Sequence, residues 1–266
     1  MANPPIFTQD MLKGQKPLRK VETVDKSAPK LTGYMTDKQV LEHQEEQMRY
    51  NIEYWYPLLD GLTFETEFLE LTRDDARLFI KTRKAFEETG TIPAELQVQL
   101  DQLSEKLDQV VVKMKGDGDS TFVKASSRSA KDTPISEKDV LLQKYLEFYR
   151  KNESKDIGGK IYAILQAATD MLRITKAKQA IDCFARSERI EVDMSIALNI
   201  DSNNGHFSEN FVVRKWHNIA VDMEFRGFVT EGKLRALSQY NHMFVSPRVV
   251  ANKGHLLNII TTFFNE

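Results

Sequence analysis

Residues 209–241 constrain the fold of this chain most. ENFVVRKWHN, VDMEFRGFVT and KLRALSQYN are successive runs rich in β-branched and aromatic residues. They predict three strands in a row, with Gly227 and the pair Glu231-Gly232 supplying bulge or turn chemistry. Arg214, Lys215, Glu224 and Arg226 sit in these runs where strand propensity prefers other residues. Charge on a strand is costly unless it is paired or serves a ligand. An Arg–Glu pair facing solvent and a ligand site are both compatible with the pattern.

The other signals alternate between helix and strand. Residues 63–71 alternate as a strand with one wet face, and 74–89 read as a helix. Pro93 opens a clearer helix in which Leu96, Leu100, Leu103, Leu107, Val110, Val111 and Met114 recur at three- and four-residue steps. The glycines of KGDGDS end it, and STFVKASS follows as a short strand. Ser136 is positioned to cap a helix through Tyr149, with Val140, Leu141, Tyr145 and Phe148 inward. Further helices are expected at 157–172 and 176–187. RIEVDMSIALNI (189–200) reads as a strand, or a strand with a turn, and NKGHLLNIITTFFNE as a helix capped near Asn252. The class is α+β, with no repeat at a fixed period.

The opening residues differ. Pro4, Pro5, Pro17 and Pro29 fall among lysines with few large apolar residues, a composition that does not bury enough surface to fold alone. Residues 1–49 read as an extended arm ending in a short polar helix, Thr36 to Met48, capped by Thr36. Residues 50–266 read as the folded domain.

Composition excludes several classes. The 266 residues carry 37 basic and 39 acidic side chains, for a net charge of −2, which argues against a dominantly electrostatic nucleic-acid binder. One cysteine, Cys183, excludes an intramolecular disulfide and a four-cysteine metal site. No secretory signal and no membrane-length apolar run is visible, so a cytoplasmic protein is expected. Phosphate-loop, dinucleotide, zincin and nucleophile-elbow motifs are absent. The five histidines lack metal spacing, and the carboxylates of GDGDS suit a solvated turn better than a calcium loop.

FVKASSRSAKD (122–132) is less easily set aside. Lys124 lies on a strand, and a serine-rich turn after it carries Arg128 and Lys131. Cations converging on a turn of small residues suit a polyphosphate; a basic surface loop is the plainer reading of the same residues.

Four blocks, in order, resemble the cell division cycle protein 123 family, whose domain is similar to ATP-grasp enzymes. YWYPLLDGLTFETEFLEL, with Trp55, Tyr56, Pro57 and Gly61, resembles its opening block. FVKASSRSAKD resembles its Phe-Pro-Lys strand and following turn, and CFARSERIEVDM its Phe-x-x-Ser block. The match is fullest in ENFVVRKWHNIAVDMEFRGFVTEGKLRALSQYN. The resemblance spans about 50–266 and implies an ATP-grasp-like fold of two subdomains gripping ATP. It also implies a role in assembling eukaryotic translation initiation factor 2 through its gamma subunit. On this resemblance Lys124 and Lys131, with Arg128 nearby, approach the phosphates. Arg214, Lys215 and Trp216 lie at the adenine-side hinge, and Arg226 points into the cleft.

The sequence departs from that pattern. Val123 replaces the proline before the lysine, and Ser127 replaces an aromatic residue. Residues 137–180 read as an inserted helical segment. The family's strands bearing the magnesium-ligand aspartates find no counterpart after Phe263-Phe264-Asn265-Glu266, which predicts a C-terminally incomplete domain without metal ligands. Such a site is expected to bind Mg–ATP poorly and to transfer no phosphoryl group, so that the chain reads either as incomplete or as a binding scaffold.

The arm has its own resemblance, to beta-thymosin and verprolin-homology actin-binding modules. Phe7, Met11 and Leu12 would form the apolar face of a short helix, and Leu18, Arg19, Lys20 and Val21 the extended basic motif. Three functions are therefore carried forward: a binding and assembly protein, an actin monomer binder acting through its arm, and an ATP-grasp ligase or kinase. Neither nucleic acid nor a membrane is expected as partner.

Overall fold

The computed structural model describes residues 35–59, 61–116, 118–133, 138–203 and 205–266. Phe7, Met11, Leu12, Leu18, Arg19, Lys20 and Val21 of the actin-binding resemblance lie outside these residues. The chain divides into two units, Met1–Glu46 and Gln47–Glu266.

α1 (Asp37–Met48), all but its last two residues in the first unit, begins with a reciprocal cap. Thr36 Oγ1 accepts from the Gln39 N–H at 3.3 Å, and Gln39 Oε1 accepts from the Thr36 N–H at 2.9 Å.

The second unit begins with α2 (Ile52–Trp55) and a 3-10 turn at Tyr56–Leu59. β1 (Thr66–Glu70), α3 (Arg73–Thr89), α4 (Ala94–Lys115) and β2 (Thr121–Ala125) follow. Next come α5 (Lys138–Lys151), α6 (Ile157–Asp170), the two-residue β3 (Arg173–Ile174), α7 (Ala177–Arg186) and α8 (Glu188–Ser202). β4 (Asn210–Lys215), β5 (Phe225–Thr230), β6 (Lys233–Gln239), α9 (Pro247–Ala251) and α10 (Lys253–Asn265) complete the chain.

Local chemistry sets these boundaries. Thr72 and Asp75 form a capping box at α3, with the Thr72 N–H donating to Asp75 Oδ2 at 2.8 Å. α3 ends at Gly90, whose φ of 71° is left-handed and favours glycine. Glu231 and Gly232, with φ of 54° and 67°, form the two-residue turn between β5 and β6. Positive φ at both central positions is the hairpin geometry that matches strand twist. The register slips between Phe228 and Val229, next to Gly227.

The three strand-like runs of 209–241 are strands, but they divide between two sheets. β4 is internal to a four-stranded sheet of order β1-β4-β2-β3, and β5-β6 is a separate hairpin. On β4, Phe211 and Val213 face one side, beside Ala125 and Val123 of β2 and Leu69 of β1. This face packs on α3, α4 and α7. The rings of Phe79, Phe184 and Phe211 meet there, with centroids 5.0–6.1 Å apart, and all three side chains are buried.

Two expectations require correction. Residues 189–200 form α8, a helix rather than a strand. Ser187 Oγ accepts from the Ile190 N–H at 3.2 Å, Glu188 and Glu191 occupy the positive first turn, and the buried side chains Ile190, Met194, Ala197 and Ile200 recur at helical steps. Val140 does not face inward on α5: it is 45% exposed. No helix among the described residues is long and apolar enough to cross a membrane.

Candidate functional site

The face of the sheet opposite the aromatic core carries the charges. Lys124 pairs with Val212 across β2 and β4, and Arg214 lies two residues further along β4, paired with Phe122 and Thr66. Period-two alternation therefore puts Lys124, Val212, Arg214, Phe122, Thr66 and Phe68 on one face. The segment carrying α2 and the 3-10 turn covers part of it. The Tyr56 ring meets Phe68 edge-on at 5.5 Å, and Tyr56 Oη accepts from the Thr66 N–H at 3.1 Å.

Lys124 is half-buried. Its Nζ donates to the carbonyls of Ser126 at 3.0 Å and Ser127 at 3.2 Å, so the serine turn folds back over it. Burial, reinforced by Arg214, pushes its ammonium down to about 8. Arg214 Nε donates to Thr66 Oγ1 at 3.0 Å, whereas its Nη2 is buried without a partner among the described residues. Burial lowers its pKa as well. A buried N–H with no acceptor is costly and is the kind of group a ligand oxygen satisfies.

Arg128 is committed elsewhere. It donates from Nε to Asp193 at 2.9 Å, contacts the same carboxylate through Nη2, and reaches the Arg189 carbonyl at 3.1 Å. The hydrogen bond to Asp193 raises its pKa. Ser127 Oγ bonds Asp193 too. A cavity of about 460 Å³ opens beside this pair, lined by Met48, Tyr50, Asn51 and Ile196 among others.

Lys131 and Arg226 are brought together over Tyr240, with Nζ 5.5 Å and Cζ 4.9 Å from the ring centroid. Both are exposed cations held by a π face. Lys215 lies apart, exposed at the end of β4 beside Gly118, and the Trp216 backbone N–H donates to the Ser120 carbonyl at 3.1 Å. The seven expected site residues thus form a Lys124–Arg214 pair, a Lys131–Arg226 pair around Tyr240, Arg128 in an internal ion pair, and Lys215-Trp216 at the strand end.

Sequence reasoning missed the acidic lining. Glu209, immediately before β4, is fully enclosed, and burial with Asp193 and Glu53 pushes its carboxyl up to about 8. Asp193 is 5% exposed. The only signal for Glu209 was its place next to a strand bearing Arg214. Among the described residues, no group of three or more histidine, cysteine or acidic side chains could hold a metal ion.

The D123 family model matches residues 163–266. Cdc123 from Schizosaccharomyces pombe has a similar structure: TM-score 0.54 and 15% identity, covering 84% of this chain and 74% of that one. A C-terminally truncated form of the same protein gives a TM-score of 0.54 at 14% identity, with the same coverage. At these identities the likeness is one of fold. No curated protein matches the sequence.

Proposed function

We propose that this chain, which the D123 family model matches over residues 163–266 and whose fold is similar to that of Cdc123, belongs to that family and is a binding and assembly protein. In this reading it takes a nucleotide on the Lys124–Arg214 face and assists assembly of eukaryotic translation initiation factor 2 through that factor's gamma subunit. The single observation that carries the nucleotide is Arg214 Nη2, a buried cationic donor without a partner among the described residues, on the same face as Lys124. A triphosphate offers the charge and the acceptor oxygens this face lacks.

The residues fit that group. Lys124 and Arg214 would neutralise phosphate oxygens in a half-buried setting, where charge–charge attraction is little screened. Phe122 and Phe68 give the same face apolar surface on which a base can lie. Binding rather than turnover is the proposed role, with nucleotide occupancy ordering the surface the gamma subunit meets. The ligase or kinase alternative requires product formation.

The test is a pull-down of the gamma subunit by the full chain, with and without ATP, for wild type and Lys124→Ala. Capture that strengthens with ATP in wild type and not in the variant supports the reading. Absence of capture under every condition contradicts it.

A further inference from the structure

The carboxyl of Glu209 has a place in the fold that the function above does not use. Its backbone is pinned: the carbonyl accepts from the Leu71 N–H at 2.8 Å. The next residue, Asn210, donates from its N–H at 2.9 Å and its side-chain amide at 3.2 Å to Ser126 Oγ. The Ser126 carbonyl in turn accepts from Lys124 Nζ at 3.0 Å and the Ile52 N–H at 3.2 Å. Glu209 and Lys124 are therefore both held against one serine.

The side chain of Glu209 is 0% exposed, and neither carboxyl oxygen has a hydrogen-bond partner among the described residues. The Asn51 amide and the Ser126 N–H lie near enough to favour the anion somewhat, at geometries short of a hydrogen bond. Asn51 Oδ1 and Glu53 Oε2 are also enclosed and without a partner among the described residues. Both are acceptors, and an ionised Glu209 would give the pocket only further acceptors. An enclosed carboxylate whose nearby donors are poorly aligned is costlier than its neutral acid, whose O–H adds a donor to a pocket rich in acceptors.

The groups facing Glu209 come from every side. Lys124 approaches from β2, Arg128 from the serine turn, Glu53 from α2 and Asp193 from α8. Arg214 on β4 couples to Lys124, and Asp132 acts on Arg128 from its far side. With Glu209 ionised, Lys124, Arg128 and Arg214 are balanced by Glu53, Asp193 and Glu209. With Glu209 neutral this set is one unit more positive; Asp132, on the far side of Arg128, lies outside it.

We propose that Glu209 is a positioning residue that stays a neutral carboxylic acid and so keeps the Lys124–Arg214 face net positive for a polyanion. The proposal rests on the nucleotide reading of that face. Glu209 and Lys124 both release their protons as pH rises past about 8. Each loss removes one positive charge, so anion affinity falls on the alkaline side, and binding near that pH takes up protons.

The experiment uses the full chain and inorganic tripolyphosphate without metal, titrated calorimetrically at about pH 6.5 and about pH 9. Wild type is expected to lose roughly tenfold or more in affinity between the two. Glu209→Gln, whose amide stays neutral, should show a clearly smaller ratio. Independently of any ligand, infrared spectra should show a carboxylic-acid carbonyl band that titrates near pH 8 in wild type. That band should be absent in Glu209→Gln, and its titration in wild type needs no variant to fold. An equal affinity ratio in both proteins, or no such band at neutral pH, overturns the proposal. If wild type binds no tripolyphosphate at either pH, the nucleotide reading fails and the coupling with it, whereas a missing band with intact binding sinks the Glu209 assignment alone.

Discussion

Lys131 and Arg226, on the serine turn and on β5, place their cations 5.5 and 4.9 Å from one ring centroid, that of Tyr240. The β5–β6 hairpin is an isolated two-stranded sheet with mostly exposed residues, and such a hairpin is marginally stable alone. Tyr240 is one of the points that tie it down, through its ring and through its N–H, which donates to the Glu224 carbonyl at 2.8 Å.

Tyr240→Leu keeps that backbone bond and removes both cation–π contacts, each worth about 0.5–1 kcal/mol at an exposed site. Amide hydrogen exchange over 225–239 should quicken several-fold, with α3, α4 and α7 unchanged. Unchanged protection in the hairpin would show that the ring does not hold it.

Asp193 is 5% exposed and collects Ser127 and Arg128. Asp193→Asn leaves the guanidinium without its carboxylate. Because the Arg128 side chain is 39% exposed, water recovers part of the loss. The expected cost is about 2 kcal/mol in urea unfolding. A change under about 0.5 kcal/mol would show that the pair is solvated in practice.

The aromatic core makes a plainer prediction. Phe211 is fully buried between Phe79 and Phe184. Phe211→Ala should cost about 3–5 kcal/mol, enough to unfold a marginal domain, whereas Phe211→Leu should cost far less. Circular dichroism melts distinguish the two.

Two buried groups shape stability against pH. Between about 4.5 and about 8 the fold holds a proton on Glu209 that the unfolded chain has released, so stability falls as pH rises through that window. Between about 8 and 10.5 the unfolded chain holds a proton on Lys124 that the fold has released, so stability rises again. Each limb has a slope of at most about 1.4 kcal/mol per pH unit. Urea midpoints should pass through a minimum near pH 8 in wild type, and Lys124→Met should lose the alkaline recovery. A variant that recovers like wild type would assign that limb to other groups.

The sequence was most informative where signals are local. Alternation marked β1 and the leucine steps marked α4, because periodicity reports which face is buried, and β-branched and aromatic content marked β4. α8 was misread because Ile190, Val192, Met194 and Ile196 alternate like a strand, yet Val192 is 42% exposed and the alternation has no buried face to serve. The cap at Ser187 and the acidic first turn decide the matter instead. Arg214 was legible as a candidate because charge on a strand is anomalous, and Lys124 because cations converge with it on a serine-rich turn. Their common face needed the register of β2 on β4. Glu209 was invisible, since its enclosure comes from Asn51, Leu71 and Ser126, segments far apart in the chain. Arg128 had the right residue type, but its partner Asp193 lies on the helix read as a strand.

The central claim is that the Lys124–Arg214 face takes a nucleotide. Isothermal titration of ATP into the full chain, beside Lys124→Ala and Arg214→Met, tests it most directly. The account predicts micromolar affinity in wild type and at least a roughly tenfold loss in each variant, with melting temperatures that show both variants folded. No heat with wild type, or equal affinity in all three proteins, would contradict it.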